Sequence, residues 1–145
     1  MAFSNRWVLA DGTLNDEPIT IRYRDHLEQQ QNSGDFSQCV QISWTAEEVD
    51  EETGYPSANE LLKIDDFNQK LMAAIEKDAQ ALVVMVIMCQ GINQWILYTK
   101  DTSVLQADLN TIPTDTGLYP IEIVAEEDDQ WAIFTQLRDA IKTDG

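Results

Sequence analysis

Ala81-Leu82-Val83-Val84-Met85-Val86-Ile87-Met88-Cys89 is the most apolar run of the chain, and the reading of these nine residues decides the fold. A membrane-spanning helix takes about 20 apolar residues, so the run is too short to cross a bilayer, and its valine and isoleucine content favours a pleated backbone. Strands point successive side chains to opposite faces. Leu82, Val84, Val86 and Met88 are then expected on one face, and Ala81, Val83, Met85, Ile87 and Cys89 on the other. Both sets are apolar, so the run is a central strand that needs cover on both faces.

Working outward, Gln90-Gly91 makes a tight reversal into a second strand, Ile92 to Lys100. Upstream, Ser57-Ala58-Asn59-Glu60 has the spacing of a capping box, in which Ser57 accepts from the Glu60 amide while the Glu60 side chain reaches back. Gly54 and Pro56 supply the turn before it. Leu61, Ile64, Phe67 (or Asn68), Leu71 and Ile75 then recur at helical spacing, with Lys63, Asp66, Lys70 and Lys77 on the other side. Gln38 to Thr45 alternates as a strand, Val40, Ile42 and Trp44 facing opposite to Cys39, Gln41 and Ser43. Downstream, Asp101 or Thr102 caps a short helix to about Asn110 with Val104, Leu105 and Leu109 inward. Thr111 to Gly117, with Pro113, breaks it, and Tyr119 to Ala125 is another strand. A last helix from Gln130 to about Lys142 turns Trp131, Phe134, Leu137, Arg138 and Ile141 inward. At the N-terminus, Arg6 to Ala10 and Pro18 to Arg24 read as a hairpin around a turn at Asp11 to Glu17, and His26 to Ser37 reads as a polar loop. In the second hairpin strand Ile19, Ile21 and Tyr23 share one face, and Thr20, Arg22 and Arg24 form a solvated face with the local basic spot.

The whole is expected to be one domain, residues 1–145, of the α+β class. A ferredoxin-like β-α-β-β-α-β core of antiparallel sheet follows the N-terminal β-hairpin and precedes the C-terminal helix. Such a core places Ala81 to Cys89 at an edge, and an edge this apolar is a liability. The hairpin, the last helix or a second subunit must cover it, and a homodimer is the expected form wherever apolar area is left bare.

Nine Lys and Arg against 26 Asp and Glu give a net charge of −17, which repels nucleic acid and attracts a basic protein surface. The first residues lack the apolar core of a signal peptide, and no segment reads as membrane-spanning, so a cytoplasmic location is expected. Cys39 and Cys89 lie in separate apolar stretches and read as buried thiols. His26, the single histidine, sits beside Asp25 in the polar loop with no converging nucleophile. No catalytic residue, cofactor site or transition-metal site is expected from this set. Two acidic runs form the candidate partner-binding surface: Glu47, Glu48, Asp50, Glu51 and Glu52, and Glu126, Glu127, Asp128 and Asp129. Their spacing does not fit the helix-loop-helix calcium pattern. Each run also precedes a helix, where carboxylates are favoured by about 0.3–1 kcal/mol each without any ligand.

Several ordered segments together carry a likeness. They are Trp7 with Gly12, Pro18 and Arg22-Tyr23; Gly54-Tyr55-Pro56-Ser57 with Glu60 and Leu61; Trp95 to Asp101; and Tyr119-Pro120-Ile121 with Glu126 to Trp131. In these the chain resembles the bacterial family called domain of unknown function 695. It departs from the family pattern at Tyr55, where members carry Leu, and at Asn93, where they carry a basic residue. The resemblance implies no established activity, and any chemistry of that basic residue is missing here. Similar domains are fused to a module like the regulator B of ribonuclease E, which is itself acidic and α+β; small acidic immunity proteins that neutralise toxins offer a similar picture.

The functional expectation is a non-catalytic protein-binding or regulatory module, inhibitor-like or immunity-like, whose partner is another protein with a basic surface. The alternatives are a structural domain that self-associates through its sheet, and a hydrolase-type enzyme in which carboxylates such as Glu52 and Asp128 converge in a concave site.

Overall fold

A computed structural model describes residues 7–14, 17–25, 27–52, 55–76, 81–89, 91–111 and 121–144. In chain order the elements are β1 (Trp7–Leu14), β2 (Glu17–Arg24), α1 (Glu28–Ser33), β3 (Gln38–Thr45), α2 (Ala58–Glu76), β4 (Ala81–Cys89), β5 (Ile92–Thr99), α3 (Thr102–Leu109), β6 (Ile121–Glu127) and α4 (Ala132–Asp144). The six strands form one antiparallel sheet in the order β1-β2-β4-β5-β3-β6. With four helices among the described residues, the architecture is mixed α/β. The apolar run is β4, and its free edge is taken by the hairpin: Ile19 pairs with Cys89, Ile21 with Ile87 and Tyr23 with Met85. Of the three covers expected for that edge, the hairpin is the one used.

β4 is buried on both faces, but its side chains do not alternate regularly. The pairing with β5 shifts between Val83 and Met85, which leaves Val84 as the extra residue of a β-bulge. Leu82, Val84, Met85 and Ile87 therefore all enter one core, and Ala81, Val83 and Val86 the other. Val84 keeps the face it was expected to share with Leu82, while the expected faces of Met85, Val86 and Ile87 are corrected, because a bulge reverses the parity of everything beyond it.

The first core, with Ile19, Ile21, Tyr23, Cys39, Leu82, Ile96 and Tyr98 from the sheet, is closed by Trp131 and Phe134 of the α4 segment and by Leu27 and Phe36 flanking α1. The second joins Val40, Ile42, Trp44, Val83, Val86, Trp95 and Leu97 to Ile64, Phe67, Leu71 and Ile75 of α2 and Leu105 of α3. Phe67 lies between two indoles, its centroid 5.6 Å from that of Trp44 and 5.0 Å from that of Trp95. The helix layers are offset. α2 and α3 lie over the β3–β5–β4 side of one face, whereas α4 lies toward β2 and β4 on the other.

Several local expectations change. β1 continues to Leu14 where a turn was expected from Asp11, because Asp11, Gly12 and Thr13 complete the ladder with Thr20, Ile19 and Pro18. The polar stretch after the hairpin contains α1, which its good helix-forming glutamines allow. The helix ends at Gly34, whose φ of 76° is the left-handed conformation that glycine supplies at low cost. In α2 the capping bond from the Glu60 amide to Ser57 Oγ forms at 3.2 Å. The return bond does not: Ser57 N donates to Glu48 O, and the Glu60 carboxylate accepts from Trp44 Nε1 at 2.7 Å. Glu60 is thus buried, and Leu61, expected inward, is 40% exposed. In α3 Val104 faces solvent while Leu105 is buried, with Asp101 Oδ1 capping at Ser103 N. β6 runs to Glu127, so Glu126 and Glu127 belong to the strand, and α4 starts at Ala132. His26, Gly54, Lys77, Gln90, Pro113, Tyr119 and the side chain of Ile141 lie outside the described residues.

Candidate functional site

Because the helix layers are offset, each face of the sheet has a half with no helix above it among the described residues. On the α4 face the bare half spans β3, β5 and β6, and it is mostly polar, with Ile92 and Val124 exposed among its polar side chains. Gln94 Nε2 donates to Gln41 Oε1 at 2.7 Å, and Gln41 Nε2 to Glu126 Oε1 at 3.5 Å. Water suits that surface. On the α2 face the bare half spans β1, β2 and β4, and it is largely apolar.

Two rows of side chains cross this half. Leu9, Arg22, Val86 and Trp95 are successive partners across β1, β2, β4 and β5. Thr20, Met88 and Asn93 form the next row. α2 stands beside them as a wall of Leu61, Ile64, Asp65 and Asn68, and Tyr55 closes one end, enclosing a groove of about 380 Å³. That volume lies within the range of small-ligand sites, and the mixture of an apolar floor with a few polar groups is what such sites share. Leu9, 71% exposed, and Leu61 mark the rim.

Three polar groups of the groove differ in their commitments. Asn68 Oδ1 accepts from Trp95 Nε1 at 2.9 Å, which fixes the floor indole. Arg22 is exposed and stacks its guanidinium 5.5 Å from the centroid of Trp7. Asn93 is 2% exposed, yet its Nδ2 has no hydrogen-bond partner among the described residues. Buried amide donors are nearly always paired, and Arg24 Nε and Nη1 and Asp108 Oδ2 share this condition, so the amide counts here because Asn93 also lines the groove.

The second hairpin arginine, expected on a solvated face, is buried. Arg24 is 2% exposed, pairs with Glu76 Oε1 at 3.1 Å and lies 4.7 Å over Trp7. Glu76 Oε2 also accepts from Val83 N, so the pair ties the C-terminus of α2 to β4. The basic spot is thereby divided, with Arg24 structural and Arg22 alone facing the groove.

The candidate acidic residues fall into two separate places. Glu47, Glu48, Asp50, Glu51 and Glu52 are exposed in the loop after β3, which a Val49–Pro56 bridge holds and which brings Tyr55 to the groove. Glu126 and Glu127 are exposed on β6, and Asp129 is exposed beyond it. Asp128 caps α4, accepting from Ala132 N at 2.8 Å and Ile133 N at 3.0 Å, and from Tyr98 Oη at 2.8 Å. Glu127 pairs with Gln38 at the start of β3, whereas Glu52 follows its end at Thr45. At about 3.3 Å per residue, the strand separates Glu52 from Asp128 by roughly 25 Å. The structure does not bring them together.

Cys39 and Cys89 are free thiols, the first buried and the second half-buried, at opposite ends of the sheet. Burial pushes the Cys39 thiol up to about 12, against the lowering effect of its bond to Tyr98. Burial also raises Tyr98, with Cys39 and Asp128 adding to the shift. Both groups stay protonated near neutrality, which suits packing and not nucleophilic attack. Among the described residues no group of three or more His, Cys, Asp or Glu side chains is placed to hold a metal ion, and no helix is long and apolar enough to cross a membrane.

The groove is the candidate site that sequence reasoning missed. Its signals were faint: Asn93 within an apolar strand, Met88 at the end of the apolar run, and the adjacent pair Leu61-Leu62 on a helix that has only one inward stripe.

Comparison with known proteins yields one likeness. The model of a family described as "Family of unknown function (DUF695)" matches residues 5–137. No curated protein and no solved structure matches the chain.

Proposed function

The chain belongs to the DUF695 family of unknown function, and on that premise we propose that it is a non-catalytic binding module, inhibitor-like or regulatory, which receives another protein at the groove between α2 and the hairpin. The observation that carries this reading is the contrast between the two bare halves of the sheet. One carries a glutamine ladder among mostly polar side chains; the other is left largely apolar around a buried amide with no partner among the described residues. Exposed apolar area beside such a group is the usual mark of an interaction surface. The acidic loop at the groove's end and the net charge of −17 favour a partner with a basic surface.

The inner elements β3-α2-β4-β5-α3-β6 fit a ferredoxin-like unit, a reading supported by the order β4-β5-β3-β6 and by α2 and α3 sharing one face. Self-association through the sheet has Ile123 and Val124, 50% and 59% exposed on edge strand β6, in its favour. It has Glu122, Glu126 and Glu127 of the same strand against it, since carboxylates on an edge discourage pairing. An acidic hydrolase site is opposed by the wide separation of Glu52 from Asp128.

The test fills the groove. A partner captured from the source cell by the intact chain should be lost on Thr20→Trp, which occupies the space, and weakened on Leu61→Lys. It should also bind more slowly as ionic strength rises, because screening shortens steering between opposite charges. Undiminished capture by the Thr20→Trp chain would sink the reading.

A further inference from the structure

Resting on that reading, we propose that the groove recognises a short protein segment carrying one apolar side chain between basic residues, and that Asn93 donates from Nδ2 to a backbone carbonyl of that segment. The size and lining select the anchor. About 380 Å³ over Val86, Met88 and Trp95 seats one leucine, methionine or phenylalanine side chain and its flanking peptide groups. Asn93 selects the main chain. Its Nδ2 lacks a partner among the described residues, Asn93 lines the groove opposite Met88, and the broad torsion of a terminal amide lets the donor turn toward the groove. A donor in apolar surroundings satisfies itself best with a neutral carbonyl, because a carboxylate would lose its hydration there and meet the negative field of the molecule.

Charge selects the flanks. Within the groove Asp65 and Arg22 offset each other, so the balance is set by Glu47, Glu48, Asp50, Glu51 and Glu52 of the loop that delivers Tyr55. Lys or Arg on either side of the anchor meets that loop, and a segment with acidic flanks is turned away. The groove also lies on the hairpin side of the molecule, away from the carboxylates of β6.

The experiment selects random nine-residue peptides displayed on phage against the full chain and against Asn93→Leu, and then follows the best peptide by amide resonances. Selection on the intact chain should enrich one apolar residue flanked by Lys or Arg. That peptide should shift the side-chain amide of Asn93 and the indole of Trp95, and should bind Asn93→Leu at least tenfold more weakly. The variant must retain the unfolding midpoint of the parent or exceed it, which separates lost recognition from lost structure. Basic peptides without an apolar anchor, held equally by both chains and shifting only residues 47–52, would overturn this proposal while leaving a binding role by charge. An acidic-flanked consensus would overturn the charge assignment. If nothing is enriched, the segment proposal fails, and the groove-filling capture still decides the broader reading separately.

Discussion

Asn93 is one place where the fold forgoes stability. A buried donor without a partner costs about 1–3 kcal/mol, and replacing it by an apolar group of similar shape removes the cost. Asn93→Leu is therefore expected to raise the free energy of unfolding by about 1 kcal/mol, seen as a higher urea midpoint at unchanged slope, and a fall in the midpoint would mean that the amide is satisfied. Cys39 and Tyr98 give a pH dependence. The unfolded chain releases the Cys39 proton near 9.0, whereas the folded chain keeps it to about 12. Between those values the folded state binds more protons, so its stability is full below about pH 9 and falls as pH rises. The slope is at most about 1.4 kcal/mol per pH unit for the thiol, with Tyr98 acting in the same direction above its ordinary value of 10.0. Denaturant midpoints from pH 8 to 11 should decline, and should decline less in Cys39→Ala; a flat profile would contradict the buried-thiol assignment. Cys39 was legible as a buried thiol because its flanks are apolar. Arg24 was not, because the acid that holds it, Glu76, lies 52 residues away and only the fold brings them together.

Two helices are fixed by caps of different strength, although the sequence advertises the weaker one. Ser57 offers one oxygen to one amide of α2. Asp128 offers two to the first turn of α4 and holds Tyr98 as well, whose hydroxyl also accepts from Phe134 N at 3.3 Å. Ser57→Ala should thus cost about 0.5–2 kcal/mol, and Asp128→Ala should reach or pass the top of that range, since ionised acceptors make the stronger bonds. Thermal unfolding of the two variants side by side settles the order; equal losses would show that Asp128 acts as an ordinary cap. The capping box could be read at the start of α2 because its partners are neighbours in sequence. Its second half failed because Trp44, a tertiary neighbour, took the Glu60 carboxylate. Similarly, α1 was hidden in a polar stretch whose burial depends on Leu27 and Phe36 meeting Trp131, and the Trp131 indole donates to Phe36 O across 95 residues.

For the whole molecule, the sequence yields the elements and the double burial of β4, while the sheet order needs the pairings. The apolar edge that would have called for a second subunit is closed within one chain by β2, with α4 over one face of β4 and α2 over part of the other. With a net charge of −17 opposing the approach of like copies, a monomer is expected at micromolar concentration. Sedimentation at low and moderate salt checks it, and a dimer under both conditions would point to the β6 edge. The bulge in β4 has a consequence of another kind, for how the chain tolerates changes of length. Val84 is the one residue that the ladder with β5 skips, so removing it leaves Val83 opposite Leu97, Met85 opposite Ile96 and every remaining side chain on its own face. Excising Val86 instead would put Ile87, Met88 and Cys89 out of phase with both cores. A one-residue deletion in the most buried strand should therefore fold at position 84 and fail at position 86, so the chain carries, at its least exposed point, a spare residue that an ordinary alignment gap could remove.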